Sequence, residues 1–404
     1  MKAFKRTLVG LAVAAALSTS AAQAQVSDGV IKIGVLSDMS SLYTDLAGAG
    51  SVVAAKMAVE DSGIEKRGYK VEIVSADHQN KPDVGSGIAR QWYDVDKVDV
   101  IVDTPNSGVA LAVNQITKDK GKAFLVSGAA SSDLTGKACS PNTIHWTYDT
   151  WMLANGTGSA IVKTGGDTWF FITADYAFGH ALERDTEAVV LKNGGKVLGK
   201  VRAPLNTQDF SSFLLQAQAS KAKIIGLANA GGDTTNSIKQ AAEFGIVKGG
   251  QNLAGLLVFL TDIHSLGLPT AQGLIFTETF YWDMNDQTRA FAKRFAERDK
   301  GIHPTMIHAG VYSAVLHYLK AVEALKSDDG TKVIAKMKEV PTDDPLFGKG
   351  TIRVDGRKIH PAYLVEAKKP AESKGEWDLY KIRATIPADQ AFRPLAEGGC
   401  ALVK

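Results

Sequence analysis

The sequence predicts an α/β protein built as two doubly wound, Rossmann-like lobes joined by a hinge of several strands. Three observations carry this expectation. From Val30 onward, short β-rich runs alternate with longer segments of helical period, the pattern of parallel strands covered by helices. The chain has 404 residues, whereas single hydrophobic cores stop growing beyond about 250–300 residues and longer chains divide into domains. No internal repeat and no low-complexity linker interrupts it, so several crossings are expected to tie the lobes and restrict their motion to hinge bending.

The first element is a leader. Lys2, Lys5 and Arg6 precede the apolar run 8–17, and the small-residue stretch Ala21-Ala22-Gln23-Ala24 follows, the order of a secretory signal peptide. The apolar run is about half the roughly 20 residues that span a bilayer. Cleavage is expected after Ala24, with export to the periplasm. No cysteine immediately follows that site, which argues against a lipid anchor. Without the three leader cations the chain carries 43 basic and 43 acidic residues. A net charge near zero gives no electrostatic case for nucleic acid or an anionic membrane surface.

Strands are predicted over 31–36, 69–75, 98–102, 123–126, 168–173, 196–201, 224–228, 255–260 and 274–277. Helices are predicted over 51–61, 85–93, 109–118, 151–164, 181–193, 210–220 and 234–244. In the segment 309–326, Val311, Ala314, Val315, Tyr318, Leu319, Val322 and Leu325 recur at i, i+3, i+4 spacing and predict a core-facing amphipathic helix. After Asp343 come short β-like runs, 363–367 and 378–383, read as terminal strands crossing between the lobes. The expected division is 25–147 with about 278–340 as the N-terminal lobe, 148–277 with about 341–390 as the C-terminal lobe, and 391–404 as a tail. Cys139 and Cys400 are the only cysteines. In an exported chain one disulfide between them is expected, two independent thiols being the alternative.

Enzyme signatures are missing from the sequence. It contains no GxxxxGK[ST] loop, no GxSxG elbow, no HExxH and no CxxC pair, the motifs that carry phosphate, acyl-transfer, zinc and redox chemistry. The eight histidines do not cluster, so neither a metal nor a cofactor is expected. The adjacent pairs Asp328-Asp329 and Asp343-Asp344 read as solvated turns, because neighbouring loop carboxylates have no environment to split their pKa values.

Three stretches carry a family resemblance: Ile31-Lys32-Ile33-Gly34-Val35-Leu36 running into Ser37-Asp38-Met39-Ser40-Ser41; Ser107-Gly108-Val109-Ala110 with Val126-Ser127-Gly128-Ala129-Ala130-Ser131-Ser132-Asp133; and Asp175-Tyr176-Ala177-Phe178-Gly179. In order and spacing the chain resembles the periplasmic solute-binding proteins of ATP-binding-cassette transporters of the branched-chain amino acid type, over essentially its whole mature length. The resemblance implies a type I two-lobed clamp, a small carboxylate ligand (an aromatic acid or a branched-chain amino acid), membrane permease subunits as partners, and no catalysis. A periplasmic sensor subunit and a secreted hydrolase are the competing readings, and a monomer is the simplest assembly.

Each stretch sits where a strand ends and a helix begins, the place where open α/β sheets bind ligands. Ser107, at a helix start, is expected either to hold a carboxylate or to cap the helix. By resemblance, Ser131 and the backbone at Ala129 complete that cradle. Tyr43, Tyr148, Tyr176 and Phe178 are expected as aromatic walls, or as core. On the second lobe Asn229 is the polar candidate, and Asp262 stands near where amino-acid binders offer an acid to the ligand ammonium, unless it caps the next helix.

Overall fold

The computed structural model describes residues 26–404. The expected leader and its cleavage site lie outside the described residues.

Two parallel sheets dominate. The first holds β1 (Ile31–Ser37), β2 (Val71–Asp77), β3 (Val100–Asp103), β4 (Ala123–Val126) and β5 (Thr143–His145) in the order β2-β1-β3-β4-β5. The second holds β6 (Thr168–Ala174), β7 (Lys196–Ala203), β8 (Ile224–Ala228) and β9 (Asn252–Gly255) in the order β7-β6-β8-β9. The central strands read as unbroken apolar runs, VIVD in β3 and IIGLA in β8, because both of their faces are buried, as parallel sheets require. Helices close the faces. Ser107–Lys120 is capped at its start by the Asn106 side chain, which accepts from the N–H groups of Gly108 and Val109, and stops at Gly121 in the left-handed region. The cap is therefore Asn106, and Ser107 is the first helical residue.

Three further departures from the sequence reading have physical causes. The run 255–260 is not a strand. β9 ends at Gly255, the last residue paired with β8, and Leu260 opens the helix Leu260–Leu266. Leu256, Leu257, Val258 and Phe259 are apolar because they are buried, at 3% exposure or less, not because they are extended. The helix expected over 151–164 is two α segments, Thr150–Leu153 and Ser159–Lys163, around a π turn at Ala154–Gly158. There Gly156 lies so close to β10 (Ile275–Glu278) that a Cβ would fall 2.4 Å from Thr277 Oγ1. The helix expected over 309–326 starts earlier, at Met306, capped by Thr305, and is buried along most of its length.

The chain passes between the sheets three times. Trp146–Asp149 leaves β5 for the second sheet, and the segment after β10 returns to the helix Met306–Leu325, which packs on Gly48–Ser62. β11 (Thr342–Asp344), β12 (Gly348–Ile352) and β13 (Lys358–Ile359) form a small antiparallel sheet against that helix. The chain then crosses again to β14 (Ala362–Ala367) and β15 (Tyr380–Ile386), which line up antiparallel beside β10. Crossings are bonded to one another: His360 Nε2 contacts Thr147 O at 2.7 Å, Arg357 Nη1 donates to Tyr148 O at 3.2 Å, and Trp146 Nε1 donates to Ser313 Oγ at 2.8 Å.

A fourth connection is covalent. Cys139 and Cys400 form a disulfide across a sequence separation of 261. On its way to Cys400 the tail lays Phe392 beneath the Arg357 guanidinium, 4.5 Å from the ring centroid. A cross-link over so long a loop removes much unfolded-state entropy. Replacing both cysteines by serine is expected to lower stability by about 4 kcal/mol or more in urea denaturation; a loss under about 1 kcal/mol would mean the tail is already ordered in the unfolded chain.

Candidate ligand-binding site

In a doubly wound sheet the strand order reverses at one point, and the loops leaving the carboxyl ends of the strands there diverge to form a crevice. The reversal falls between β1 and β3 in the first sheet and between β6 and β8 in the second. Loops from all four of these strands meet around a cavity of about 230 Å³. Its wall is mostly aromatic, from Tyr43, Tyr148, Tyr176, Phe178 and Phe259, completed by Leu46, Pro105, Ala230 and Leu257, while Gly128 and Ala130 bring main chain to it. Among the described residues, none that lines the cavity is charged.

Local sequence explains how these side chains are aimed. Asp38 accepts hydrogen bonds from the N–H groups of Ser41, at 2.9 Å, and Tyr43, at 2.8 Å, winding the loop after β1 so that Tyr43 turns inward. After β3, Asp103 and Thr104 take φ values of +77° and +59° immediately before Pro105, two consecutive non-glycine residues in the left-handed region, a strain that persists only where surrounding structure imposes it. After β6, a Cβ at Gly179 would lie 1.9 Å from Ala174 O. Only glycine lets the helix Ala177–Lys192 begin this close to its strand, and that proximity projects Tyr176 and Phe178 into the crevice.

The rings are held by their hydroxyls. Tyr43 Oη and Tyr176 Oη are hydrogen-bonded at 2.5 Å, joining loops of the two sheets. Tyr148 donates to Gly128 O at 2.5 Å and meets Phe259 edge-on, centroids 5.9 Å apart. Burial raises the pKa of Tyr43 and Tyr148 well above the usual phenol value, so these groups act as neutral donors and acceptors.

At the first-sheet end, Ser107 Oγ accepts from Ser131 N–H at 3.1 Å and Ser131 Oγ accepts from Asp133 N–H at 3.4 Å. Ala129 O contacts His145 Nε2 at 2.7 Å. These bonds brace the loop 128–131 without consuming the N–H groups of Ala129 and Ala130, for which no acceptor is present among the described residues. Two free amide donors beside a helix N-terminus suit an anion.

Of the residues expected from sequence, Tyr43, Tyr148, Tyr176 and Phe178 come together on the cavity wall. Ser107, Ala129 and Ser131 stand behind it as the braced loop. Asn229 is turned into its own helix start, with Oδ1 accepting from Thr234 at 2.8 Å and Nδ2 donating to Ser237 Oγ at 3.0 Å. Asp262 accepts from Phe259 N–H at 2.9 Å in the first turn of Leu260–Leu266, and burial pushes its carboxyl up to about 7. Sequence reasoning missed Leu46, Pro105, Ala230, Leu257 and Phe259. The last two were hidden inside the apolar run read as a strand, and a buried aromatic just past a strand's carboxyl end was the available signal.

Comparison with known proteins agrees with this geometry. A family model described as periplasmic binding protein matches residues 30–376. A periplasmic binding protein from Burkholderia mallei is 52% identical, with a TM-score of 0.91, over 93% of this chain and 100% of its own. A branched chain amino acid ABC transporter periplasmic ligand-binding protein from Burkholderia xenovorans is 45% identical, with a TM-score of 0.82, over 93% and 100%. Among curated relatives, Leu/Ile/Val-binding protein homolog 6 of Brucella melitensis is 25% identical over 88% of this chain and 92% of its own length. A solute binding protein from R. palustris in complex with benzoate shares the fold, at 22% identity and a TM-score of 0.81 over 92% and 100%.

Asp103, whose backbone shapes this cavity, is fully buried, and burial pushes its carboxyl up to about 7 against the lowering effect of the Ser37 hydroxyl bond. Below about pH 4 the group is protonated whether the chain is folded or not; above that the unfolded chain ionises first. Stability should therefore fall as pH rises from about 4 to about 7 and level off beyond. Asp103→Asn is expected to gain roughly 2–3 kcal/mol on the wild type between pH 5 and pH 8 in urea denaturation, and parallel pH profiles would show that the carboxyl is ionised in the native state.

Proposed function

The chain belongs to the periplasmic binding protein family, the exported solute-binding part of ATP-binding-cassette importers, and from that premise we propose that it captures a small aromatic carboxylate by closing two lobes over it. The observation that carries this reading is the cavity wall of five aromatic rings with no charged side chain among the described lining residues. The wall residues come from loops of both sheets and leave little space between them, so the ligand is small. The ring stacks among Tyr43, Tyr176, Phe178 and Phe259, and the carboxylate points to the amides of Ala129 and Ala130. Ser107 and Ser131 keep those amides in place.

A branched-chain amino acid is the alternative, supported by the names of the relatives. Its ammonium group needs an ionised acceptor. Asp103, Asp233, Asp262 and Glu278, the buried acids whose charge is felt by Tyr43 or Tyr148, are all held toward the neutral form by burial, which weakens that reading. Asn229 and Asp262 then act through the architecture of the second-lobe loops.

The lobe division near 147/148 and 277/278 is part of this proposal, with the boundary expected near 340/341 moved to about 360, because β11–β13 pack on the helices Met306–Leu325 and Gly330–Glu339. It is supported by the three crossings that leave one parallel sheet on each side. Ligand docks on one lobe, the other swings over it, and the closed monomer is what permease subunits engage. Catalysis plays no part: the family is one of substrate-binding transport proteins.

A thermal-shift screen of ligand-stripped protein tests the substrate class. Benzoate and its hydroxylated forms are expected to raise the melting temperature by several degrees at a thousandfold excess over Kd, where linkage contributes about 4 kcal/mol, while leucine, isoleucine and valine leave it unchanged. A shift with the aliphatic amino acids alone would overturn the aromatic reading in favour of the alternative.

A further inference from the structure

Beside the cavity, but outside its wall, one serine gathers bonds from three parts of the chain. Ser132 opens the short helix Ser132–Thr135 that follows β4. Its Oγ donates to Asp185 Oδ2 at 2.6 Å and accepts from Arg184 Nη2 at 2.9 Å. Its carbonyl accepts from Arg393 Nη2 at 3.0 Å, and its N–H donates to Thr150 Oγ1 at 3.1 Å. Thr150 in turn donates to the same Asp185 oxygen at 2.6 Å, and Arg184 Nη1 reaches Asp133 Oδ1 at 3.2 Å. Ser132 and Asp133 follow the first sheet; Arg184 and Asp185 ride on the helix Ala177–Lys192 of the second, the helix whose start projects Tyr176 and Phe178. Ser132 is 1% exposed and Asp185 6%.

We propose that the Ser132–Asp185 bond, with Arg184 reaching over to Asp133, is a latch between the lobes that sets how long a captured ligand is retained. The proposal rests on the clamp reading above and deepens it: Arg184 and Asp185 are positioning residues that never touch the ligand. Bonds to charged partners in buried surroundings are the strong kind. Opening the lobes separates Ser132 from Asp185 and strands a buried carboxylate with fewer donors, so closure is favoured before any ligand contact is counted. Ser131, one residue before, donates to Ser107 in the braced loop, so the latch and the anion end of the cavity share one rigid segment.

Ser132→Ala removes the bond from the first-lobe side while Asp185 keeps Thr150, and Arg184→Met removes the half-exposed cation, including its Nε bond to Asp185 Oδ1 at 2.9 Å, while Asp185 keeps Ser132 and Thr150; both leave the fold's core untouched. With benzoate as the probe in stopped-flow measurements, each is expected to raise koff roughly tenfold with kon unchanged, and the double variant to fall short of the product, because the two side chains share a partner. Small-angle scattering of each ligand-stripped variant should show a larger radius of gyration than the wild type. Unchanged koff together with an unchanged radius in both variants overturns the latch. If the wild type binds no benzoate, the ligand reading fails and scattering alone decides: a larger radius supports the latch and an equal one overturns it.

Discussion

Two cations with no access to solvent hold the crossings together. Arg357 and Lys358 are both 0% exposed, and burying charge is tolerable only where hydrogen bonds, counter-charges or ring faces offset the lost water. Arg357 donates to Tyr148 O and to Lys358 O, lies 3.5 Å from Asp149 Oδ2 and covers Phe392. Lys358 sits between the rings of Trp146 and Phe347, at 4.7 and 4.1 Å, with Asp344 Oδ2 at 3.6 Å. Their partners come from the first crossing, the small antiparallel sheet and the tail. Removing either cation leaves an acid stranded in the interior, and the first crossing loses the contacts that fix Tyr148 by its carbonyl while its ring faces the cavity.

From that fixed base the two sheets fan out with their reversal points opposed. The inner strands of parallel sheets bury both faces and leave their carboxyl-end loops free to vary, which is why inner strands such as β4 and β8 are apolar while the edge strands β2 and β7 carry charge, and why the chemistry gathers in the loops. The loops are stiffened by side chains bonded to their own backbone: Asp38 under Tyr43, Asn106 at the helix start, Asn229 into its own helix. Histidine serves the same end. His145, His308 and His360 are buried neutral, with pKa values lowered by desolvation, and each contacts a backbone carbonyl. What reaches the cavity is then a set of rings whose orientation is settled before a ligand arrives, with the Tyr43–Tyr176 hydroxyl pair spanning the gap between lobes.

Much of this was legible in the residues. The alternation of strands and helices located every parallel strand of the two sheets except β5, which at three residues is too short to show a period, and β9, whose residues 252–255 precede the apolar run 255–260 that was read in its place. The helices Asp286–Ala296 and Gly330–Glu339 were passed over although Asn285 and Asp329 cap them and offered a signal. Tyr43, Tyr176 and Phe178 were readable because they sit in loops that leave expected strands, and Tyr148 because it falls at the expected crossing between lobes. Phe259 was not, because an uninterrupted apolar run cannot distinguish strand from buried loop by periodicity alone. Asp262 and Asn229 show the other limit: a polar residue after a strand is as able to cap its own helix as to meet a ligand, and only the geometry of Phe259 N–H and Thr234 decides which. The disulfide was expected because two cysteines in an exported chain have only each other to pair with, and the structure decides for it against two independent thiols.

The tail carries one more consequence. Because Cys139 and Cys400 are joined, most of the chain forms a closed covalent ring, and all three crossings run within it. A protease that cuts any exposed loop between these cysteines turns the ring into two fragments still tethered by sulfur, with both sheets and their shared crossings in place. In a compartment that the chain shares with proteases, such a nick need not release either half, and a single scission there is a scar rather than a loss.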